Sequence, residues 1–238
     1  MLIIAHRGAS ASEKENTREA FVAAHKMGAE AVETDIRRCK FCGKLVLSHD
    51  PIRTEEECRA ALAFEDFLSI KVKGAHLPLS NERFFLGEQM QLHLEIKEKG
   101  LIHEILEMTQ GLRCRDKIVF SSFLWLELFK IRFLEGKKPR AKIGLLWDPV
   151  ERNLSWWLVA AVGKILKAKS IHFNLAALNL NREMVEYFRK KRFLIYAYSD
   201  KSFHPKSQIT LALFLDLDGI FSDCPAYAKE ILWEITLQ

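Results

Sequence analysis

Three acidic residues, two histidines and two cations carry the chemistry that can be read from this 238-residue chain. Glu33 and Asp35 stand two apart in Val32-Glu33-Thr34-Asp35, and Glu95 and Lys97 repeat the spacing in Leu94-Glu95-Ile96-Lys97. Residues two apart in a strand point to the same side, so each pair shares a face. If those faces point into a barrel mouth the three carboxylates converge, and at about 4 Å and an effective dielectric near 20 they repel by roughly 4 kcal/mol per pair. Something positive must sit among them. An all-oxygen cluster suits a hard divalent cation, Mg2+ or Ca2+ or else Mn2+. The competing reading places these acids on a solvated outer face, paired with Arg37, Arg38 or Lys97. It conflicts with a parallel barrel, whose outer face is covered by helices.

His6, in Ile3-Ile4-Ala5-His6-Arg7-Gly8, and His49, in Leu47-Ser48-His49-Asp50, both follow apolar runs that read as strands. Imidazole takes or gives a proton near neutral pH, so two such residues beside a carboxylate cluster form an acid–base pair. Arg7 and Lys97 add positive charge suited to a phosphate. A phosphodiester oxygen on the cation and under Arg7 leaves one histidine to activate a hydroxyl or water. The other then protonates the departing alkoxide. Among the remaining histidines, His25 and His103 fall in helical segments and His76 and His204 in loops, where a structural role is the simpler one. His93 shares a face with Glu95, and His172 lies in a strand that would line a barrel.

The elements that must hold these groups alternate. Gly8 lets the chain turn out of the first strand, and Asn16 or Thr17 can cap the helix that follows, Thr17 to Met27, with Ala20, Phe21, Ala24 and Met27 on one face. Ala31 to Arg38 is a strand, and Lys44 to His49 an extended run behind a turn at Gly43. Residues 54 to 70 read as helical or irregular, and a loop with Pro78 and Gly87 carries no clear pattern. From Gln91 to the end, strands and helices alternate in βα units. Setting Lys44 to His49 aside as a hairpin partner, eight core strands remain. Eight βα units in one chain predict a single-domain (β/α)8 barrel spanning residues 1–238. An open doubly wound sheet is disfavoured because the glycine-rich dinucleotide fingerprint is missing after the first strand.

Bulk properties narrow the partners. A net charge of +5 suits a small anionic substrate rather than a nucleic acid. Five cysteines make no disulfide framework, and Cys39 and Cys42 form a lone CxxC with no second pair to complete a zinc site. The sequence passes from Met1 into the first strand without a basic leader, and Trp156 to Val162 is too short to span a bilayer; a cytoplasmic protein is expected. Trp156 and Trp157 would suit peripheral membrane contact, but a barrel helix packed on the sheet is the simpler expectation. The oligomeric state is not legible.

Several motifs together resemble the glycerophosphodiester phosphodiesterase family. They are His6-Arg7-Gly8, Glu15-Asn16-Thr17 with Ala20-Phe21, Gly28 through Asp35, Val46 through Asp50, Leu94 through Lys97, and Gly219 through Pro225. The resemblance implies a (β/α)8 barrel and a metal-dependent hydrolase releasing an alcohol and glycerol 3-phosphate. It implies His6 and His49 as acid and base, Glu33, Asp35 and Glu95 as ligands of Ca2+ or Mg2+, Arg7 and Lys97 as phosphate contacts, and Glu15 and Asn16 as supports. Where the family carries Trp-Thr-Val-Asn on the seventh strand, this chain has Tyr196-Ala197-Tyr198-Ser199, which puts Tyr196 forward as a substrate contact and leaves the head group open. The short segment between His49 and Glu95 leaves little room for an inserted cap. A more open mouth would admit acylated diesters, the substrates of a lysophospholipase D. A phosphate-binding barrel without catalysis is the alternative of a different class.

Overall fold

The computed structural model describes residues 1–73, 83–136, 140–149, 154–175, 182–199 and 204–237. Its strands are β1 (Leu2–Ala5), β2 (Ala31–Arg38), β3 (Leu45–Leu47), β4 (Lys71–Lys73), β5 (Arg83–Phe85), β6 (Gln91–Ile96), β7 (Ile118–Ser122), β8 (Lys142–Trp147), β9 (Ser170–Asn174), β10 (Leu194–Tyr198) and β11 (Gly219–Ser222). Eight of them, β1, β2 and β6 to β11, pair in parallel, and β1 pairs with both β2 and β11. That double pairing closes the sheet into the eight-stranded barrel that the βα alternation predicts. β3 lies outside it, antiparallel to β2 with Ile36 opposite Leu47, as a hairpin partner should. β4 and β5 make a separate two-stranded ribbon.

The alternation of the strands separates two cores. Ile4, Ala31, Tyr196 and Phe221 point inward and pack with half-buried Leu2, Leu194 and Tyr198. Their neighbours Ile3, Ala5, Val32 and Ile36 point outward into the larger core shared with the helices. Burial on both faces explains why these strands read as nearly continuous apolar runs. The lower barrel also holds His93 and His172, ring centroids 5.8 Å apart, against Tyr196 and Phe221. Desolvation drives His93 down to about 3 and His172 in the same direction, so both are neutral interior groups.

The first helix spans Arg18–Lys26, and the side chain of Thr17 caps it by accepting from the N–H of Ala20 at 3.3 Å. Ala20, Phe21 and Ala24 form its buried face. Gly8 is required where β1 exits onto this helix. Its φ is +87°, and a Cβ there would sit 2.6 Å from Cβ of Ala20. Residues 54 to 70 resolve into helices Glu55–Ala60 and Phe64–Leu68, the first closed by a capping box of Thr54 and Glu57. Gly87 lies in a short helix, Leu86–Gln89; Pro78 and His76 fall outside the described residues. In the helix Trp156–Ile165, Val159, Ala160 and Gly163 are buried on the barrel, Trp156 packs near Tyr187, and Trp157 is exposed. Among the described residues, no helix is long and apolar enough to cross a membrane.

Candidate active site

Parallel strands of a barrel deliver their final inward side chains to one mouth, the C-terminal end. Glu33 and Asp35 are the inward pair near the end of β2, and Glu95 sits on β6 directly beside Asp35 in the register. One carboxylate oxygen from each of the three lies within 4.8 Å of the others. His6 follows β1, His49 follows β3, and Lys97 follows β6. These groups surround a cleft of about 300 Å3, whose lining includes His6, Arg7, Glu33, His49, Glu95 and Lys97.

Arg7 and Lys97 bind the acids into one network. Arg7 Nη1 donates to both carboxylate oxygens of Glu15, at 3.0 and 3.1 Å. Its Nε lies 3.2 Å from Asp35 Oδ2, an ion-pair distance whose angle makes no hydrogen bond. The Arg7 backbone N–H donates to Glu33 Oε2 at 3.1 Å. Lys97 Nζ reaches Glu95 Oε1 at 3.0 Å and Asp35 Oδ1 at 3.3 Å. Asn16 is buried beneath, donating from Nδ2 to Asp35 Oδ2 at 3.0 Å and accepting from the Thr34 hydroxyl at 2.7 Å. Arg7 and Asn16 both hold left-handed backbone, φ 57° and 58°. Such conformations cost on the order of 1–3 kcal/mol and persist where surrounding bonds fix them, as they do at both residues.

The charges do not balance. Glu33, Asp35 and Glu95 face two cations, and Arg7 is shared with Glu15. Burial and the neighbouring carboxylates Asp35 and Glu95 hold Glu33 well above the ordinary range. Burial and Asp35 raise Glu95 as well. Asp35 goes the other way: burial opposes it, but Lys97, Arg7 and the Asn16 hydrogen bond keep it ionised. The same acids hold Arg7 and Lys97 protonated against burial. One atom has been left out of this network. Glu33 Oε1 is buried and has no hydrogen-bond partner, and it belongs to an all-oxygen trio. An orphaned carboxylate oxygen beside two other carboxylates is the donor set a hard divalent cation takes.

The two histidines are held differently. His6 Nδ1 lies 2.8 Å from Asp223 Oδ1, and its Nε2 is 4.0 Å from Glu33 Oε2. The Asp223 carboxylate, an acceptor when ionised, draws the ring proton to Nδ1 and fixes the ring plane. His49 is more open; its Nδ1 meets Asp50 Oδ1 at 3.1 Å, and its carbonyl accepts from Arg37 Nε at 2.8 Å. Burial, Lys97 and Arg7 lower the His49 pKa below its ordinary 6.5, outweighing Asp35 and Asp50.

The structure thus brings together His6, Arg7, Glu15, Asn16, Glu33, Asp35, His49, Glu95 and Lys97. It does not bring Tyr196. That side chain points into the lower barrel, 5.2 Å between ring centroids from His172, and burial raises its phenol to about 12. Two residues further along β10, nearer the mouth, Tyr198 and Ser199 line the cleft instead. Sequence reasoning also passed over Ser121, Phe123, Leu146, Asn174, Phe221 and Asp223, which complete the lining. The turn Ser222-Asp223-Cys224-Pro225 after the last strand was the available signal for Asp223.

Fold and site together define a (β/α)8 barrel with a charged reaction centre at the C-terminal mouth of its strands. The model of the glycerophosphoryl diester phosphodiesterase family matches residues 6–86. A glycerophosphodiester phosphodiesterase from Bacillus altitudinis is 26% identical over 254 aligned positions, covering 98% of each chain. The structure of one from Thermotoga maritima superposes with a TM-score of 0.68 at 25% identity, covering 100% of this chain and 98% of that one. A phosphodiesterase from Oleispira antarctica, solved with its product sn-glycerol-3-phosphate, shares the fold with a TM-score of 0.74 at 19% identity, over 98% and 96% of the two chains. The chain thus resembles the glycerophosphoryl diester phosphodiesterase family, through the family model over residues 6–86 and through glycerophosphodiester phosphodiesterases over nearly its whole length.

Proposed function

We propose that this protein is a cation-dependent glycerophosphodiester phosphodiesterase that uses His6 and His49 as its acid–base pair. The observation that carries the reading is the meeting of Glu33, Asp35 and Glu95 within 4.8 Å, in a cleft that His6 and His49 also line. The likeness to glycerophosphodiester phosphodiesterases supports the substrate class, a glycerophosphodiester cleaved to glycerol 3-phosphate and an alcohol. Glu33, Asp35 and Glu95 would hold Mg2+ or Ca2+, which supplies charge neutralisation for a phosphate oxygen.

The chain's own groups do the rest. Arg7 and Lys97 present positive charge to the phosphate, and Glu15 and Asn16 hold Arg7 and Asp35 in place. His49, neutral at pH 7 because its pKa lies below 6.5, takes the proton of the attacking hydroxyl or water. His6, its Nδ1–H held by Asp223, would carry a second proton on Nε2 in the acid role and give that one to the leaving alkoxide. Protonating His49 removes the base, so activity is lost as pH falls through the lowered value. In a pH profile of kcat/KM, the acid limb is expected below 6.5. A profile flat across the histidine range, or an acid limb that stays in place in His49→Ala, rules out His49 as the base.

The function is tested by incubating the purified protein with glycerophosphocholine, glycerophosphoethanolamine, glycerophosphoinositol and lysophosphatidylcholine, each with and without Mg2+ or Ca2+. Release of glycerol 3-phosphate from a deacylated diester, abolished by EDTA, is expected. Choline release from the acylated compound alone would make the protein a lysophospholipase D. Silence on every diester with either cation would leave a phosphate-binding barrel.

A further inference from the structure

We propose that Cys39, Cys42 and Cys58 form a second metal site, one that binds Zn2+ through three thiolates and a water molecule. Their Sγ atoms all lie within 4.8 Å of one another, and none of the three is in a disulfide. Zn–S bonds of about 2.3 Å at tetrahedral angles set sulfurs about 3.8 Å apart, so closure around the ion needs shifts of about 1 Å or less. Sulfur donors select a soft or borderline ion such as Zn2+ over the hard cations suited to the carboxylate trio.

The backbone around the first two cysteines is fixed in a hydrogen-bonded turn. Cys39 follows β2 and donates its N–H to Lys44 O at 2.9 Å, while Gly43 N–H returns to Cys39 O at 2.9 Å. Gly43 makes this tight turn in left-handed backbone, φ +71°. Arg38 Nη1 secures it by donating to Gly43 O at 2.7 Å. Burial would raise the Cys39 thiol, but the hydrogen bonds from Cys58, Cys42 and Phe41 outweigh it and bring it below the ordinary value. Donation to Cys39 in turn holds the Cys58 thiol up at about 12. Thiol ligands give up their protons when an ion enters, so binding strengthens as pH rises.

Access and surroundings agree. Cys39 is buried against Val46 and Ile52, with Cys58 and Ala61 packed beside it, and Cys42 is exposed. The exposed side gives the ion its entry and the water its place. The balance is Zn2+ + 3 RSH + H2O giving [Zn(SR)3(OH2)]− + 3 H+. In sequence, Lys40 lies between Cys39 and Cys42, and Lys44 lies two residues beyond Cys42. Because Cys58 lies on the helix Glu55–Ala60 while Cys39 directly follows β2, the ion would tie the segment carrying His49 to the strand carrying Glu33 and Asp35.

The test is an anaerobic titration of reduced, metal-stripped full-length protein with Co2+, followed by absorption spectroscopy. The expected result is one equivalent bound with a thiolate-to-cobalt charge-transfer band and the visible bands of tetrahedral cobalt, both erased by Zn2+. Glu95→Gln leaves this band unchanged, which separates the site from the carboxylate cluster. Cys42→Ser, in an exposed turn, is expected to weaken the site at least 100-fold, and Cys58→Ser likewise. Zn2+ is also expected to protect these thiols from alkylation, read by mass spectrometry. A missing charge-transfer band, or one of parent strength in Cys42→Ser, overturns the proposal. So does a disulfide among the three that, once reduced, yields thiols indifferent to Zn2+.

Discussion

Alanine at His6 or at His49 is expected to lower kcat/KM for a glycerophosphodiester by about 100- to 10,000-fold, the range that general acid–base groups contribute. The two losses should differ in kind. An alkoxide leaving group such as choline needs a proton as the P–O bond breaks, whereas p-nitrophenolate leaves readily without one. If His6 is the acid, the defect of His6→Ala shrinks by at least 10-fold when the leaving group is p-nitrophenol. The defect of His49→Ala persists, because the nucleophile still needs its base. The comparison requires kcat/KM for each variant on both substrates, together with a thermal melt to show that each has folded. Equal rescue of both variants would reverse or dissolve the assignment; parent-like rates in both would end it. Asp223→Asn should follow His6→Ala in weaker form, since the ring it orients is lost only in part.

Glu33→Gln is expected to raise the stability of the metal-free protein while removing its dependence on the cation. Glu33 is buried, opposed by Asp35 and Glu95, and carries an oxygen without a partner. Removing that charge relieves a cost of about 1–3 kcal/mol, which corresponds to a melting shift of several degrees for a chain of this size. The parent should gain more from saturating Mg2+ or Ca2+ than the variant does, because binding to the folded state alone stabilises it by mass action. Turnover in the variant should fall at least 100-fold. Melting curves of both proteins, each in EDTA and in cation, check the stability half without reference to activity. A metal-free variant less stable than its parent would mean that Glu33 is held by interactions stronger than its repulsions.

The barrel was legible because its strands are buried on both sides and its helices on one, so apolar runs and amphipathic stretches alternate along the chain. The acids of β2 and β6 were legible for a related reason: charge is unexpected in a strand with no solvated face. What escaped depended on distance along the chain. Tyr196 was placed at the mouth from its rank in the motif, but inward positions of one strand lie at different depths, and Tyr198 is the one that reaches the cleft. Asp223 meets His6 across 217 residues, so neither local pattern announces the other. Cys58 sits 16 positions beyond Cys42, and a lone CxxC reads as incomplete until the helix from Glu55 folds back onto it.

The pairing of β1 with β11 has a consequence for the order of synthesis. Residues 6–86 match the family and hold most of the reaction centre, yet Glu95, Lys97 and Asp223 come later. His6 lies in the first strand's exit, but the N–H that fixes its backbone bonds to Ser222 O and its ring is oriented by the next residue along. With the proposed roles, a nascent chain would emerge with its histidines and acids already made, yet His6 would lack its partner until nearly the last strand was translated. Ring closure, rather than the appearance of any motif, would be the moment at which this polypeptide becomes able to cut a phosphodiester.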